Sequence, residues 1–239
     1  MSTPYRHRTQ AGEVLARSLG HLAGREDVTV LALPHGGVPV AFEVARVLGA
    51  PLDLAVVQPI LHTMGPPRRE VTLGLLGYPS ALQLHDATLN TLALSDEALD
   101  RAVDRARRQL RQRVRAMRPD VPAPSIEGRT VVLVDDGTAA GVVLRRAAGL
   151  LRRAGARSLV ATVPVGAEEG LRLLEDEFDE VVCPLRPEPF VAIPTWYTSY
   201  PEVTDDEVRD LLSRTRAWHA RPGSRAPITA PISQQTEPT

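Results

Sequence analysis

The chain reads as one α/β domain in which a mostly parallel sheet is covered by helices on both faces. Three observations predict this. The runs Val28-Thr29-Val30-Leu31-Ala32-Leu33 and Thr130-Val131-Val132-Leu133-Val134 are apolar almost throughout instead of alternating, the pattern of strands buried on both sides. Segments of helical periodicity stand between such runs, at the spacing of βαβ units. A length of 239 residues with 43% hydrophobic content suffices for one sizeable core.

Taken in order, residues 10–24 place Val14, Leu15, Leu19 and Leu22 on one helical face. The first strand, residues 28–33, stops at Pro34-His35-Gly36-Gly37. A helix over 38–48 and a second strand over 52–57 complete a βαβ unit. Residues 58–69 read as a loop, because Pro59, Gly65, Pro66 and Pro67 oppose regular structure. Short strands are predicted at 71–76 and 81–84. Ser95 then caps a long helix, with Asp96 and Glu97 in its first turn and a stripe of Leu99, Val103, Ala106, Leu110, Val114 and Met117. Its many arginines read as a solvated face with pairs such as Glu97–Arg101 and Asp104–Arg108. A proline-rich link over 119–124 leads to the strand 130–134. Helix 140–154, strand 158–163, helix 168–175 and strand 180–183 repeat the alternation. Thr204 and Glu207 form a capping box for a last helix through about 215. The expected division is a folded domain over 1–216 and a disordered tail over 217–239, where Pro, Ser, Thr and Gln dominate.

Composition removes several chemistries. No stretch reaches the ~18 apolar residues of a membrane span, and the first residues carry no apolar signal region, so a cytoplasmic location and no membrane partner are expected. A single cysteine, Cys183, cannot form an internal disulfide or a thiolate zinc cluster. Every permanently basic residue is arginine, which rules out a Schiff-base lysine and a Walker-type phosphate lysine. A formal net charge of −1 gives no general attraction to nucleic acid. His7, His21, His62, His85 and His219 show no ligand spacing.

In an open parallel sheet ligands bind beyond the carboxyl ends of the strands. Residues 33–37, 57–69 and 134–141 meet that condition. The last is the most informative: four apolar strand residues run into Asp135-Asp136-Gly137-Thr138-Ala139-Ala140-Gly141. Two carboxylates can accept hydrogen bonds from the vicinal hydroxyls of a ribose, and a small-residue turn into a helix can bind a phosphate through its amides.

This segment resembles the ribose phosphate motif of the type I phosphoribosyltransferases. Leu33-Pro34-His35-Gly36-Gly37-Val38-Pro39-Val40 is similar to the early loop of a bacterial branch of that superfamily. Cys183-Pro184, Pro189-Phe190, Trp196-Tyr197 and Val203-Thr204-Asp205-Asp206-Glu207-Val208 also resemble that branch, so the likeness covers roughly residues 5–212. The resemblance implies a type I phosphoribosyltransferase fold with a small hood formed by terminal and late-loop segments. It implies transfer at the anomeric carbon of phosphoribosyl pyrophosphate, with Mg²⁺ bridging the pyrophosphate. His35, Gly36 and Gly37 would wrap that pyrophosphate, and Asp135 and Asp136 would hold the ribose hydroxyls, meeting the metal only through those hydroxyls or water. Gly137, Thr138, Ala139, Ala140 and Gly141 would cradle the 5′-phosphate, and Trp196 or Tyr197 would stack on a planar acceptor. The partner implied is a small-molecule sugar phosphate, and a homodimer is compatible with the likeness.

The chain also departs from the branch. Ala140 and Val143 stand where hydroxyl residues are usual, His35 where arginine is usual, and Gln58-Pro59 where an arginine-lysine pair is usual. Thr138 is a candidate replacement for one hydroxyl, and Arg68 and Arg69 for the lost charge. The reading that follows is a Mg²⁺-dependent transferase, with a non-catalytic sensor of a phosphorylated ribose or nucleotide as the alternative.

Overall fold

The computed structural model describes residues 4–79, 81–92, 94–118 and 122–219. Its central sheet contains β1 (Val28–Ala32), β2 (Leu52–Leu54), β6 (Thr130–Val134), β7 (Ser158–Thr162) and β8 (Glu180–Val182). All neighbours are parallel, in the order β2-β1-β6-β7-β8. The strands are mostly apolar because each face meets helices. Val28, Val30, Ala32, Val132 and Val134 pack with residues of α1 (Arg8–Ser18), α2 (Gly37–Leu48) and α7 (Asp205–His219). Leu31, Leu33, Val131 and Leu133 point the other way, onto α5 (Val142–Arg153) and α6 (Glu168–Glu175).

The expected loop over 58–69 is instead a long antiparallel hairpin. β3 (Val56–Met64) pairs with β4 (Arg69–Tyr78), which pairs with β5 (Ala81–Leu84) in a second, three-stranded sheet. Pro59 is tolerated because β3 is an edge strand, where a missing N–H need not break a ladder. The register shifts between Ile60 and Leu61, and the prolines Pro66 and Pro67 fall in the turn at the tip. The alternation of Val56, Gln58 and Ile60 toward the interior marks the strand, but the polar Gln58 disguises it. The predicted strand 52–57 is thus two strands in two sheets, parting at Ala55.

Helix α4 (Asp96–Met117) lies over this hairpin, burying Ala102, Val103 and Ala106 against Ile60, Leu73 and Leu76. Ser95 caps it as expected, its hydroxyl accepting the Ala98 N–H at 3.3 Å. The Glu97–Arg101 pair forms at 3.7 Å, whereas Asp104 pairs with Arg107 at 3.4 Å instead of Arg108. A short α3 (Asp86–Leu92) precedes it, unanticipated from sequence. Thr204 accepts the Glu207 N–H, and α7 runs beyond the expected end, to His219. Trp218 packs on Phe42 with ring centroids 4.8 Å apart, so residues 217–219 belong to the fold and not to a tail. The rest of the expected tail lies outside the described residues. No described helix is long and apolar enough to cross a membrane.

One buried ion pair fastens the ends of α4, β2 and α7 together. Arg118, just past α4, donates through Nε and Nη2 to the Asp53 carboxylate at 2.8 and 2.7 Å, with Arg216 of α7 3.6 Å away. The two principal side chains are 6% and 1% exposed. Removing one member strands the other in a low-dielectric interior. Arg118→Met is therefore expected to cost about 3–5 kcal/mol in a urea titration; a loss below ~1 kcal/mol would show that Arg216 alone neutralises Asp53.

Candidate functional site

The chain leaves β1 outward to β2 and returns on the other side of β1 as β6. The strand order reverses there, so the loops after β1 and β6 diverge and leave a crevice between their carboxyl ends, where open sheets bind ligands. Those loops hold His35-Gly36-Gly37 and Asp135-Asp136-Gly137. They are pressed together: a Cβ on Gly36 would lie 2.0 Å from Asp136 Oδ2, and one on Gly37 would lie 2.8 Å from the Val134 carbonyl. The two glycines are needed for this close approach. His35 is exposed at the rim, with Nε2 2.8 Å from Asp205 Oδ1 at the start of α7.

The adjacent acids have different environments. Asp136 is 6% exposed and its Oδ2 accepts from Arg8 Nε at 2.8 Å and from the Tyr200 hydroxyl at 2.7 Å. Arg8 also donates to the Pro201 carbonyl at 2.6 Å and lies over the Tyr200 ring. Burial and the Asp136 carboxylate push the Tyr200 hydroxyl up to about 12, so it remains a donor at physiological pH. Asp135 keeps partial exposure; its Oδ1 accepts the Asp136 N–H at 2.9 Å. Burial of the carboxyl, and next the negative charge of Asp136, hold Asp135 well above the usual carboxylate range. Of the two predicted ribose-holding acids, Asp136 is committed to the protein, whereas Asp135 keeps partial exposure and makes no ion pair among the described residues.

The turn after the acids is built into its neighbours. Thr138 N–H donates to the Val165 carbonyl, and the Thr138 carbonyl accepts from Ala167, both at 3.0 Å. The Thr138 hydroxyl, expected to face a phosphate, is buried and accepts the Gly141 N–H at 2.9 Å. Gly141 has φ +67° and lies against the Gly170 carbonyl of α6, which only glycine permits. Ala139 and Ala140 are exposed. Helix α5 follows with no side-chain cap, its Arg145 N–H reaching back to Gly141 O. The first-turn amides of Val142, Val143 and Leu144 therefore lack intrahelical acceptors. Val142 and Val143 are 47% and 50% exposed. An open helix start of this kind attracts an anion.

The remaining predicted residues divide. Tyr197 is buried, packed against Tyr5 and Tyr200, and its hydroxyl donates to the Asp136 carbonyl at 2.6 Å. It supports the acid turn and presents no ring for stacking. Trp196 is half-buried in the same cluster, with its indole Nε1 buried and unpartnered. This cluster forms the expected hood: Tyr5 bridges Tyr197, and Thr198 and Ser199 donate to the Tyr5 and Arg6 carbonyls. Arg68 and Arg69 are exposed at the hairpin tip, and among the described residues neither makes an ion pair with the loops of the crevice. Arg8 and Tyr200 are the functional neighbours that sequence reasoning missed. Arg8 lies 128 residues from Asp136, and no local pattern announces such a contact. Among the described residues no group of three or more His, Cys, Asp or Glu side chains could hold a metal by itself.

Two variants separate the acids. Arg8→Met leaves Asp136 buried without its cation and should cost about 3–5 kcal/mol of stability; Asp136→Asn should also destabilise. Asp135→Asn should do the opposite. A raised carboxyl value means that the fold binds the proton more tightly than the unfolded chain does. Its cost is absent where both states are protonated and grows as pH rises from the unfolded carboxyl range through the folded value. Asp135→Asn is thus expected to raise the melting temperature at pH 7 and to confer no gain below about pH 4. A destabilised Asp135→Asn at pH 7 contradicts this assignment.

Comparisons with known proteins agree with this architecture. No protein-family profile matches the chain. Two Mycobacterium tuberculosis proteins, each described as "Putative phosphoribosyl transferase", are 35% identical over 217 residues, which is 91% of this chain and 48% of theirs. The chain spans about half the length of these curated relatives. The crystal structure of TT1426 from Thermus thermophilus superposes with a TM-score of 0.72 at 37% identity, covering 89% of this chain and 99% of that one. With a parallel sheet whose β1 and β6 tips carry the glycine loop and the acid pair, the chain belongs to the type I phosphoribosyltransferase superfamily.

Proposed function

We propose that this protein binds phosphoribosyl pyrophosphate, or a related ribose phosphate, in the β1–β6 crevice and transfers the phosphoribosyl group to an acceptor. The observation that carries this reading is the pairing, on one strand tip, of a partly exposed acid without an ion-pair partner, Asp135, with the uncapped start of α5. A sugar phosphate carries both complements: hydroxyls that donate to a carboxylate, and a phosphate that accepts from helix amides.

In this reading Asp135 accepts from the ribose hydroxyls, while the amides of Ala139, Ala140 and the first turn of α5 hold the 5′-phosphate. Asp136 fixes the glycine loop and orients Asp135 through its own N–H, and the His35–Gly37 loop lies beside the departing group. As the anomeric C–O bond breaks, its electron pair leaves with pyrophosphate and the acceptor supplies the new bond. The protein's share is positioning and charge placement. Mg²⁺ would neutralise charge on the pyrophosphate. The donor set fits an ion that arrives with the substrate: Mg²⁺ keeps several waters and would be held mainly by the substrate's phosphates, with Asp135 meeting it only through the ribose hydroxyls or water.

A second reading, a sensor without turnover, is favoured by one observation: Asp136 is already engaged by Arg8 and Tyr200, leaving a single carboxylate for the sugar. The absence of hydroxyls at Ala140 and Val143 points the same way.

Calorimetric titration with Mg²⁺ and phosphoribosyl pyrophosphate, and separately with ribose 5-phosphate, tests both readings. Binding of each is expected, with Asp135→Asn weakening both by at least about tenfold, ~1.4 kcal/mol. Pyrophosphate release on adding candidate acceptors supports transfer, and tight binding without release supports the sensor. Absence of binding to either compound contradicts both.

A further inference from the structure

A cleft of about 470 Å³ opens between the His35 loop, the start of β3, the last turns of α4 and the first turn of α7. Its polar wall comprises His35, Gln58, Gln109, Gln112, Arg113 and Asp205. Gln58 is 8% exposed and fully spoken for: its Nε2 donates to Gln109 Oε1 and its Oε1 accepts from Arg113 Nη1, both at 3.2 Å. The same Arg113 nitrogen reaches the Val57 carbonyl at 3.4 Å. A guanidinium has five N–H donors in a planar fork, and these contacts use one nitrogen. Among the described residues, Nε and Nη2 of Arg113 have no protein acceptor and no carboxylate pairs with it, unlike Arg101 and Arg107 on the same helix. Arg113 is thus moored by one end to the strand tip beside the crevice, with its fork and charge unspent. The other fixed charge on the wall, Asp205, lies against His35.

We infer that Arg113 binds the phosphate-type group at the anomeric end of the sugar phosphate, and that Asp205 limits the strength of that binding by holding His35 and opposing a second anion. The inference rests on the function proposed above. Geometry favours Arg113 over Arg68 and Arg69, because it lines a cleft shared with the His35 loop while those two lie at the hairpin tip. A fork suits a phosphate through two parallel hydrogen bonds, which a lysine at the same place could not supply.

The test is calorimetry with three probes, each with Mg²⁺: phosphoribosyl pyrophosphate, inorganic pyrophosphate and ribose 5-phosphate. Arg113→Gln should weaken the first two by at least about tenfold and leave ribose 5-phosphate unchanged. Arg113→Lys should recover part of the loss, and Asp205→Asn should tighten pyrophosphate. The inference is overturned if Arg113→Gln leaves the two diphosphates unaffected, or if Arg113→Gln and Arg113→Lys weaken all three probes alike, as a structural role would. Wild-type binding of ribose 5-phosphate without either diphosphate overturns this inference while the ribose site stands. Diphosphate binding that depends on Arg113, without ribose 5-phosphate binding, supports the cleft and removes the ribose site. Wild-type protein that binds none of the three overturns both.

Discussion

The buried contact between Arg8 and Asp136 organises everything at the carboxyl end of the sheet. An ionised carboxylate at this depth is costly unless a cation and further donors satisfy it. Asp136 receives an arginine from α1, a hydroxyl from Tyr200 and, on its carbonyl, a second hydroxyl from Tyr197. These contacts join the amino-terminal helix, the tip of β6 and the late loop. They also explain why Gly36 carries no side chain: the space a Cβ would fill holds the Asp136 carboxylate. The early glycine loop is therefore shaped as much by an acid behind it as by any ligand before it.

From this division of labour follows the character of the site. With Asp136 engaged from within, Asp135 is the acid left without an ion pair, and its burial, followed by the charge of its neighbour, keeps its proton affinity high. On one side lies the open start of α5, on the other a cleft in which Arg113 has unspent donors. A ligand with hydroxyls in the middle and an anion at each end matches that sequence of groups. The cation comes from a helix packed on the hairpin, so the second sheet does more than extend the core: it holds Arg113 at the rim.

Where local sequence dictates structure, the reading from sequence and the fold agree. Strands β1 and β6 are buried at every position and apolar but for Thr29 and Thr130, because both their faces are covered, and that burial is written in the residues themselves. The acid pair and the glycine turn were legible for the same reason, as a sharp change from apolar strand to small and charged residues. The hairpin was not, because Pro59 and Gln58 look like loop residues until an edge position and a buried amide network excuse them. Nor could sequence distinguish Asp135 from Asp136. That difference is made by Arg8 and Tyr200, far away along the chain. Trp218 looked like the start of a tail because its partner, Phe42, lies on another helix.

The most direct measurement is carboxyl ¹³C NMR of the two aspartates in the intact protein while ribose 5-phosphate and Mg²⁺ are added. If Asp136 is an internal strut and Asp135 the ligand-facing acid, the Asp135 carboxyl resonance should move with saturation and titrate above the usual carboxylate range in the free protein. The Asp136 resonance should stay nearly still. A large shift at Asp136 with none at Asp135 would mean that the ligand displaces Arg8, and would contradict the division of the pair.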